Sequence, residues 1–297
     1  MLNGKYYFRD LMLGLASLSL LLAACGSDSS GVDGTAGQVG VETVTTAGSS
    51  EASRIQQTLQ RAIVSERLPY AEVEDELVYG YFAFPSDMND PLPAIIVIHE
   101  WWGLDDHVRA MANRLAAEGY IVLAVDLFNG KTGTTAIEAR QLMLDVVENP
   151  DPAAENIRQA YDFVSSAAGA PRIASIGWGF GGDWALNTAM LFPDELDAVV
   201  IYYGQVTDDE DVLRPINTPI LGLFGAEDTS TPVKTVQRFE AALERLRKNY
   251  EIHIYPTAGF SFANPTSRSY DDKVAEDAWK RTLEFLAYNL VVEEVES

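Results

Sequence analysis

Short apolar runs alternate with longer stretches of helical spacing along most of this chain. Residues 94–98, 120–125, 173–176, 197–203 and 219–224 are nearly unbroken apolar runs. A run with no polar alternation predicts a strand buried on both faces. Residues 251–255 give a further strand. Between the strands lie helical patterns: Val108, Met111, Leu115 and Ala116, then 135–148 and 152–168, then Ala185, Leu186, Ala189 and Met190. Later patterns are Val236, Phe239, Leu243 and Leu246, with Thr231 as cap and Pro232 at the first position, and a last helix over 270–290 carrying Val274, Ala278, Phe285 and Leu286 inward. Residues 77–84 alternate as an edge strand does, and Ile55, Leu59 and Ile63 predict an N-terminal helix over 52–67. Strand–helix alternation predicts the α/β class: a mostly parallel sheet with helices on both faces. Ligands of such sheets bind at the carboxyl ends of the strands. The informative ends here are Glu100, Gly179, Asp228 and Phe260.

Residues 171–186 read PRIASIGWGFGGDWAL. A buried strand, a glycine-rich turn and a helix form the layout of a nucleophile elbow, in which the central residue of G-x-Nuc-x-G projects beside the helix N-terminus. The central residue here is Gly179, which offers no nucleophilic atom. A dinucleotide fingerprint is the competing reading, because Gly177, Gly179 and Gly182 fit G-x-G-x-x-G and Asp197 is near the spacing of the ribose-binding acid. That motif belongs after the first strand of its unit, whereas this turn comes late, so no cofactor is expected.

The N-terminus has its own logic. Lys5 and Arg9 precede a short apolar stretch, 11–22, which ends Leu22-Ala23-Ala24-Cys25. The stretch is short for a membrane span and reads as a signal segment. It resembles a bacterial lipobox, so residues 1–25 are expected to be a signal peptide and Cys25 the lipidated mature N-terminus. Gly26 after the cysteine resembles the Gram-negative pattern for sorting to the periplasmic face of the outer membrane. Residues 26–51 are rich in Gly, Ser and Thr and read as a flexible tether; the folded domain is expected over 52–297. Cys25 is the lone cysteine, which excludes an intramolecular disulfide. A formal charge of −23 argues against nucleic acid and against charge-driven binding of anionic lipid.

From about Leu77 to Leu290 the chain resembles the dienelactone hydrolase family of α/β-hydrolases. The stretches that carry the resemblance, in order, are VIHEWWGL at 97–104, YIVLAVDL at 120–127, the glycine turn at 177–182, FGAED at 224–228 and AGFSFAN at 258–264. The resemblance implies a Cys or Ser nucleophile, a His base and an Asp that orients the base. Carried over residue by residue, the nucleophile position is Gly179, the base position is Phe260 and the acid is Asp228. Glu100 is the family's strand-end glutamate. The implied oxyanion donors are the backbone amides of Phe180 and of Trp101 or Trp102. Asn264 stands about where members that read a substrate carboxylate have an arginine.

Other groups have a structural reading and a functional one. Ser261 adjoins the base position and is expected to point elsewhere. His99 should face the other side of the sheet from Glu100, and His107 and His253 should lie at the surface. Asp183 sits in the first turn of the elbow helix, where the dipole favours a carboxylate. With Glu100 and Asp228 it could form an acidic pocket, but three acids without His or Cys do not make an expected metal site. Of Trp101, Trp102, Trp178 and Trp184, some would line an aromatic pocket and the rest the core. Three functions are compatible with this pattern. The leading one is a lipid-anchored pseudo-hydrolase binding a small ester-like or apolar molecule. The second is an active ester or lactone hydrolase with a rearranged site, and the third a structural or partner-binding envelope lipoprotein. No pattern speaks to oligomeric state.

Overall fold

The computed structural model describes residues 62–88 and 90–290. Eight strands form one sheet in the order β1-β2-β4-β3-β5-β6-β7-β8. They are β1 (Ile63–Val73), β2 (Glu76–Pro85), β3 (Ala94–Ile98), β4 (Ile121–Val125), β5 (Ile173–Trp178), β6 (Ala198–Tyr202), β7 (Ile220–Gly225) and β8 (Tyr250–Tyr255). β1 and β2 are antiparallel to their neighbours, and the pairs from β4 through β8 are parallel. The helices are α1 (Asp106–Ala117), α2 (Ala136–Glu148), α3 (Asp151–Asp162, continued by a wider turn over Phe163–Ala167), α4 (Phe180–Leu191), α5 (Glu210–Leu213), α6 (Val233–Arg245) and α7 (Asp272–Asn289).

Every residue of β3 through β7 is buried, which is why these strands need no polar alternation. The strand period of two separates the faces of β5. Ala174, Ile176 and Trp178 join α1 and α7 residues such as Leu115, Ala278 and Trp279 in one core cluster. Ser175, on the other face, donates its hydroxyl to the Ala185 carbonyl of α4 at 3.1 Å.

Two sequence expectations fail at the N-terminal edge. Residues 63–67 open strand β1 rather than close a helix, and β2 lies inside the sheet with β1 outside it; residues 52–61 lie outside the described residues. β1 and β2 pair from Ile63↔Pro85 to Val73↔Glu76. That ladder, together with the β-branched Ile63 and Val64, overrides the helical spacing. The hairpin turns through Glu74 (φ 53°) and Asp75 (φ 65°), two left-handed residues without glycine. A second difference concerns α6. It starts at Val233 with Pro232 at the cap position and no side-chain cap. Thr231 instead donates its hydroxyl to Gly204 O at 3.2 Å. Leu246 and Val274 are only partly buried, while Phe239, Leu243, Phe285 and Leu286 are in the core.

Candidate active site

The β5–α4 turn is an elbow in geometry as well as in sequence. A Cβ on Gly177 would lie 2.0 Å from Gly181 O, and one on Gly181 would lie 2.2 Å from Ile98 O. Both contacts are with backbone, so neither position has room for a side chain. Gly179 itself has φ 55° and ψ −117° and donates its N–H to Tyr202 O at 2.9 Å. A Cβ there would project towards the Phe260 ring, 3.1 Å from Cζ and 3.4 Å from Cε2. The residues at the nucleophile and base positions are therefore neighbours in space, as the resemblance implies, but they meet as a glycine and a phenyl ring. Phe260 also packs edge-on against Tyr203, with ring centroids 5.4 Å apart.

Glu100, at the end of β3, is 4% exposed. Its Oε1 accepts from the Tyr203 hydroxyl at 3.2 Å and its Oε2 from Asn264 Nδ2 at 2.9 Å. Burial pushes its pKa up to about 7, against the pull of the two hydrogen bonds. Asn264 thus has a definite role at the arginine position: it holds Glu100. The Ser261 expectation needs correcting. The residue is buried, with φ 61°, and its side chain acts on the Tyr203 phenol rather than pointing away from the cluster. Tyr203, also left-handed at φ 39°, is a site residue that sequence reasoning missed. The only signal was its position at the end of β6, beside the elbow.

Asp228 is buried at the end of β7. Its Oδ1 accepts from Ser230 N at 2.7 Å, Ser230 Oγ at 2.5 Å and Thr231 N at 3.2 Å. Its Oδ2 is buried with no partner among the described residues. In a triad, one oxygen of the acid accepts from the base; here the base position carries carbon only.

Asp183 accepts from Gln205 N, and burial raises its pKa to about 7. Gln205 Nε2 donates to Ser230 O at 2.7 Å and Thr231 Oγ1 at 2.9 Å, so it ties the loop after β6 to the loop that carries Asp228. Glu100, Asp183 and Asp228 each have different partners, and no cluster of His, Cys, Asp and Glu among the described residues could hold a metal ion. Phe180 is the first residue of α4, where a helix offers its N–H no internal acceptor. Trp101 and Trp102 form the turn after β3, closed by Gly103 N to Glu100 O at 3.1 Å, with rings 4.8 Å apart and half-buried. Trp178 and Trp184 belong to the core.

His99 is fully buried. Its Nε2 accepts from Leu127 N at 3.0 Å, which leaves Nδ1 to donate to Glu100 O at 2.6 Å. Burial lowers its pKa, with Asp126 opposing. It is a neutral brace between strand ends, as expected. His107 and His253 are half-buried rather than at the open surface. Cys25 and the lipobox lie outside the described residues. No helix among the described residues is long and apolar enough to cross a membrane.

Comparison with known proteins agrees with this architecture. The family model "Dienelactone hydrolase family" matches residues 78–290. A protein of Escherichia coli (strain K12), provisionally named a carboxymethylenebutenolidase, is 33% identical over 255 residues, covering 80% of this chain and 92% of its own. A similarly named protein of Saccharolobus solfataricus is 30% identical over 241 residues, covering 69% and 92%. Among solved structures, a Klebsiella pneumoniae protein provisionally named a dienelactone hydrolase matches with TM-score 0.68 and 30% identity, over 76% of this chain and 99% of its own. A match of that length, over a sheet whose strand ends hold the elbow, the buried Glu100 and the buried Asp228, places the chain in the dienelactone hydrolase family of α/β-hydrolase-fold proteins.

Proposed function

We propose that this family member has no triad catalysis and binds a small ester-like or apolar molecule at the strand ends. The observation that carries the reading is the phenyl ring of Phe260, 3.1 Å from where a Gly179 side chain would begin. Covalent ester hydrolysis needs a nucleophile hydrogen-bonded to a base, and neither position offers an N, O or S atom on its side chain. The unpartnered Oδ2 of Asp228 supports the same reading. The backbone amides of Phe180 and of Trp101 or Trp102 suit a carbonyl oxygen, and the rings of Phe260, Tyr203, Trp101 and Trp102 suit an apolar body.

Hydrolysis of 4-nitrophenyl acetate tests it, with the parent beside Asp228→Ala and the double variant Gly179→Cys, Phe260→His. The parent is expected to match buffer. The double variant is expected to gain about 100-fold, the size of an oxyanion-hole contribution. Parent activity that disappears in Asp228→Ala would overturn the reading. A rise in melting temperature with phenyl acetate separates ligand binding from a purely structural role.

The Tyr203–Glu100 hydrogen bond, with buried Ser261 acting on the Tyr203 phenol, favours a second reading, a rearranged hydrolase with Ser261 as nucleophile and Glu100 as the ultimate base. Parent activity lost in Ser261→Ala would select it. We also propose that Cys25 carries the lipid anchor that holds the domain in a bacterial cell envelope. Partition into detergent that Cys25→Ser abolishes is the expected result.

A further inference from the structure

Trp178 immediately precedes the elbow tip, and strand alternation turns its ring to the face of the sheet away from α4. There it lines a cavity of about 350 Å³ with Tyr202, Trp279, Arg114, Asp272 and Glu276. None of the residues at the nucleophile, base or acid positions borders this space.

The chemistry of the wall is unusual for a packing defect. Arg114 lies with its guanidinium carbon 4.0 Å above the Trp279 ring. Three other arginines pair closely with acids, Arg172 with Asp197 at 2.6 Å, Arg245 with Glu210 at 2.7 Å and Arg281 with Asp277 at 2.6 Å, while Arg67 lies over the Tyr79 ring at 4.1 Å. Arg114 has no carboxylate within 4.0 Å among the described residues; Asp272 and Glu276 share its cavity, and Glu118 outside the cavity acts on it more strongly than Glu276 does. Asp272 and Glu276 are four apart on α7, with Trp279 three further on, so all of them sit on one helix face. Tyr270 donates to Asp272 Oδ1 at 3.0 Å. Glu276 acts electrostatically on both Arg114 and Tyr270.

We propose that this cavity binds a small zwitterion, a free amino acid with a large apolar side chain. The ligand carboxylate takes the planar fork of Arg114, a geometry suited to two parallel hydrogen bonds. The ammonium group takes Glu276 and Asp272, and the side chain lies against Met111, Ala263 and Pro265, the apolar lining that the core leaves accessible. An anion alone would meet two carboxylates on a chain of charge −23. A cation alone would meet Arg114. A molecule with both charges bridges groups that do not reach one another. The volume is at the low end of small-molecule sites, which suits a single residue. The proposal does not depend on whether the elbow is catalytic.

Calorimetric titration of the full chain tests it with L-phenylalanine, 3-phenylpropanoate (no amine) and phenethylamine (no carboxylate). L-phenylalanine is expected to bind and each analogue to bind at least about tenfold more weakly. Arg114→Gln and Glu276→Gln, both at exposed positions and so expected to fold, should each weaken L-phenylalanine about tenfold. Gly179→Cys, Phe260→His should leave that affinity unchanged, so failure here and failure at the elbow are separable. No heat with L-phenylalanine or L-leucine at millimolar concentration overturns the proposal. So does equal binding of all three probes, or no effect of either charge variant in chains whose melting temperature matches the parent.

Discussion

The elbow and the loop after β8 meet over Gly179, and they differ in what constrains them. The elbow is constrained by backbone. Gly177 and Gly181 leave no space for a Cβ because another main chain lies about 2 Å away from where it would be. The loop from Gly259 to Asn264 is constrained by side chains: Phe260 on Tyr203, Ser261 on Tyr203, Asn264 on Glu100. Backbone contacts of the first kind are part of the fold and persist whatever chemistry the site performs. Side-chain contacts of the second kind can be exchanged, and here they join the strand ends into a hydrogen-bonded and ring-packed cluster. The difference means that the elbow frame tolerates little substitution, whereas the residues packed over it can change.

The sharpest way to break this comparison is Gly181→Ala. The new methyl meets Ile98 O at 2.2 Å, so a loss of more than about 4 kcal/mol is expected, read as failure to accumulate or as a collapsed denaturation midpoint. A fully stable variant would mean the elbow is softer than the loop.

The next largest effect is pH-dependent. Glu100 titrates near 7 in the folded chain and near 4.5 unfolded. The folded state therefore holds a proton that the unfolded state has released across that window. The sign follows: the contribution is fully present below about 4.5 and is lost as pH rises through about 7. Burial of Asp183 acts in the same direction. Urea melts from pH 5 to 8 are expected to show stability falling, with roughly 2 kcal/mol of the fall removed in Glu100→Gln. An unchanged slope in that variant would show that the buried glutamate does not hold its proton.

A smaller effect comes from Gly179→Ala, which places a side chain at φ 55° and crowds Phe260. A cost of about 1–2 kcal/mol is expected, part of it relieved when Phe260→Ala is added. Strict additivity of the two changes would mean the ring does not bear on the elbow tip. Smallest is Ser261→Ala, which removes a buried hydroxyl that acts on Tyr203. A loss of about 1 kcal/mol with no change in ester turnover is expected. A fall in turnover would instead favour Ser261 as a nucleophile.

Much of this was legible in the chain itself, for reasons that differ by element. β3 through β7 could be read because strands covered on both faces cannot alternate polarity, which leaves a local mark in the sequence. The elbow could be read because its close approaches demand glycine. The β1–β2 hairpin was hidden: its turn uses Glu74 and Asp75 at left-handed angles where Asn-Gly would have announced it. Thr231 looked like a cap because local spacing favours that role, yet its hydroxyl is taken by Gly204 from another loop. Gln205 and Tyr203 were silent for the same reason, since their partners are distant in sequence.

The sequence by itself determined the α/β class, the glycine frame of the elbow and the presence of Gly179 at its tip and Phe260 after the last strand, because each is a matter of residue type at a fixed local position. Only the tertiary structure decided that Phe260 lies on Gly179 and that Asn264 and Tyr203 hold Glu100. It also decided that Arg114 faces Asp272 and Glu276 across a cavity without pairing. Those are distances between side chains on different strands and helices, and they exist only once the sheet has brought the strand ends together.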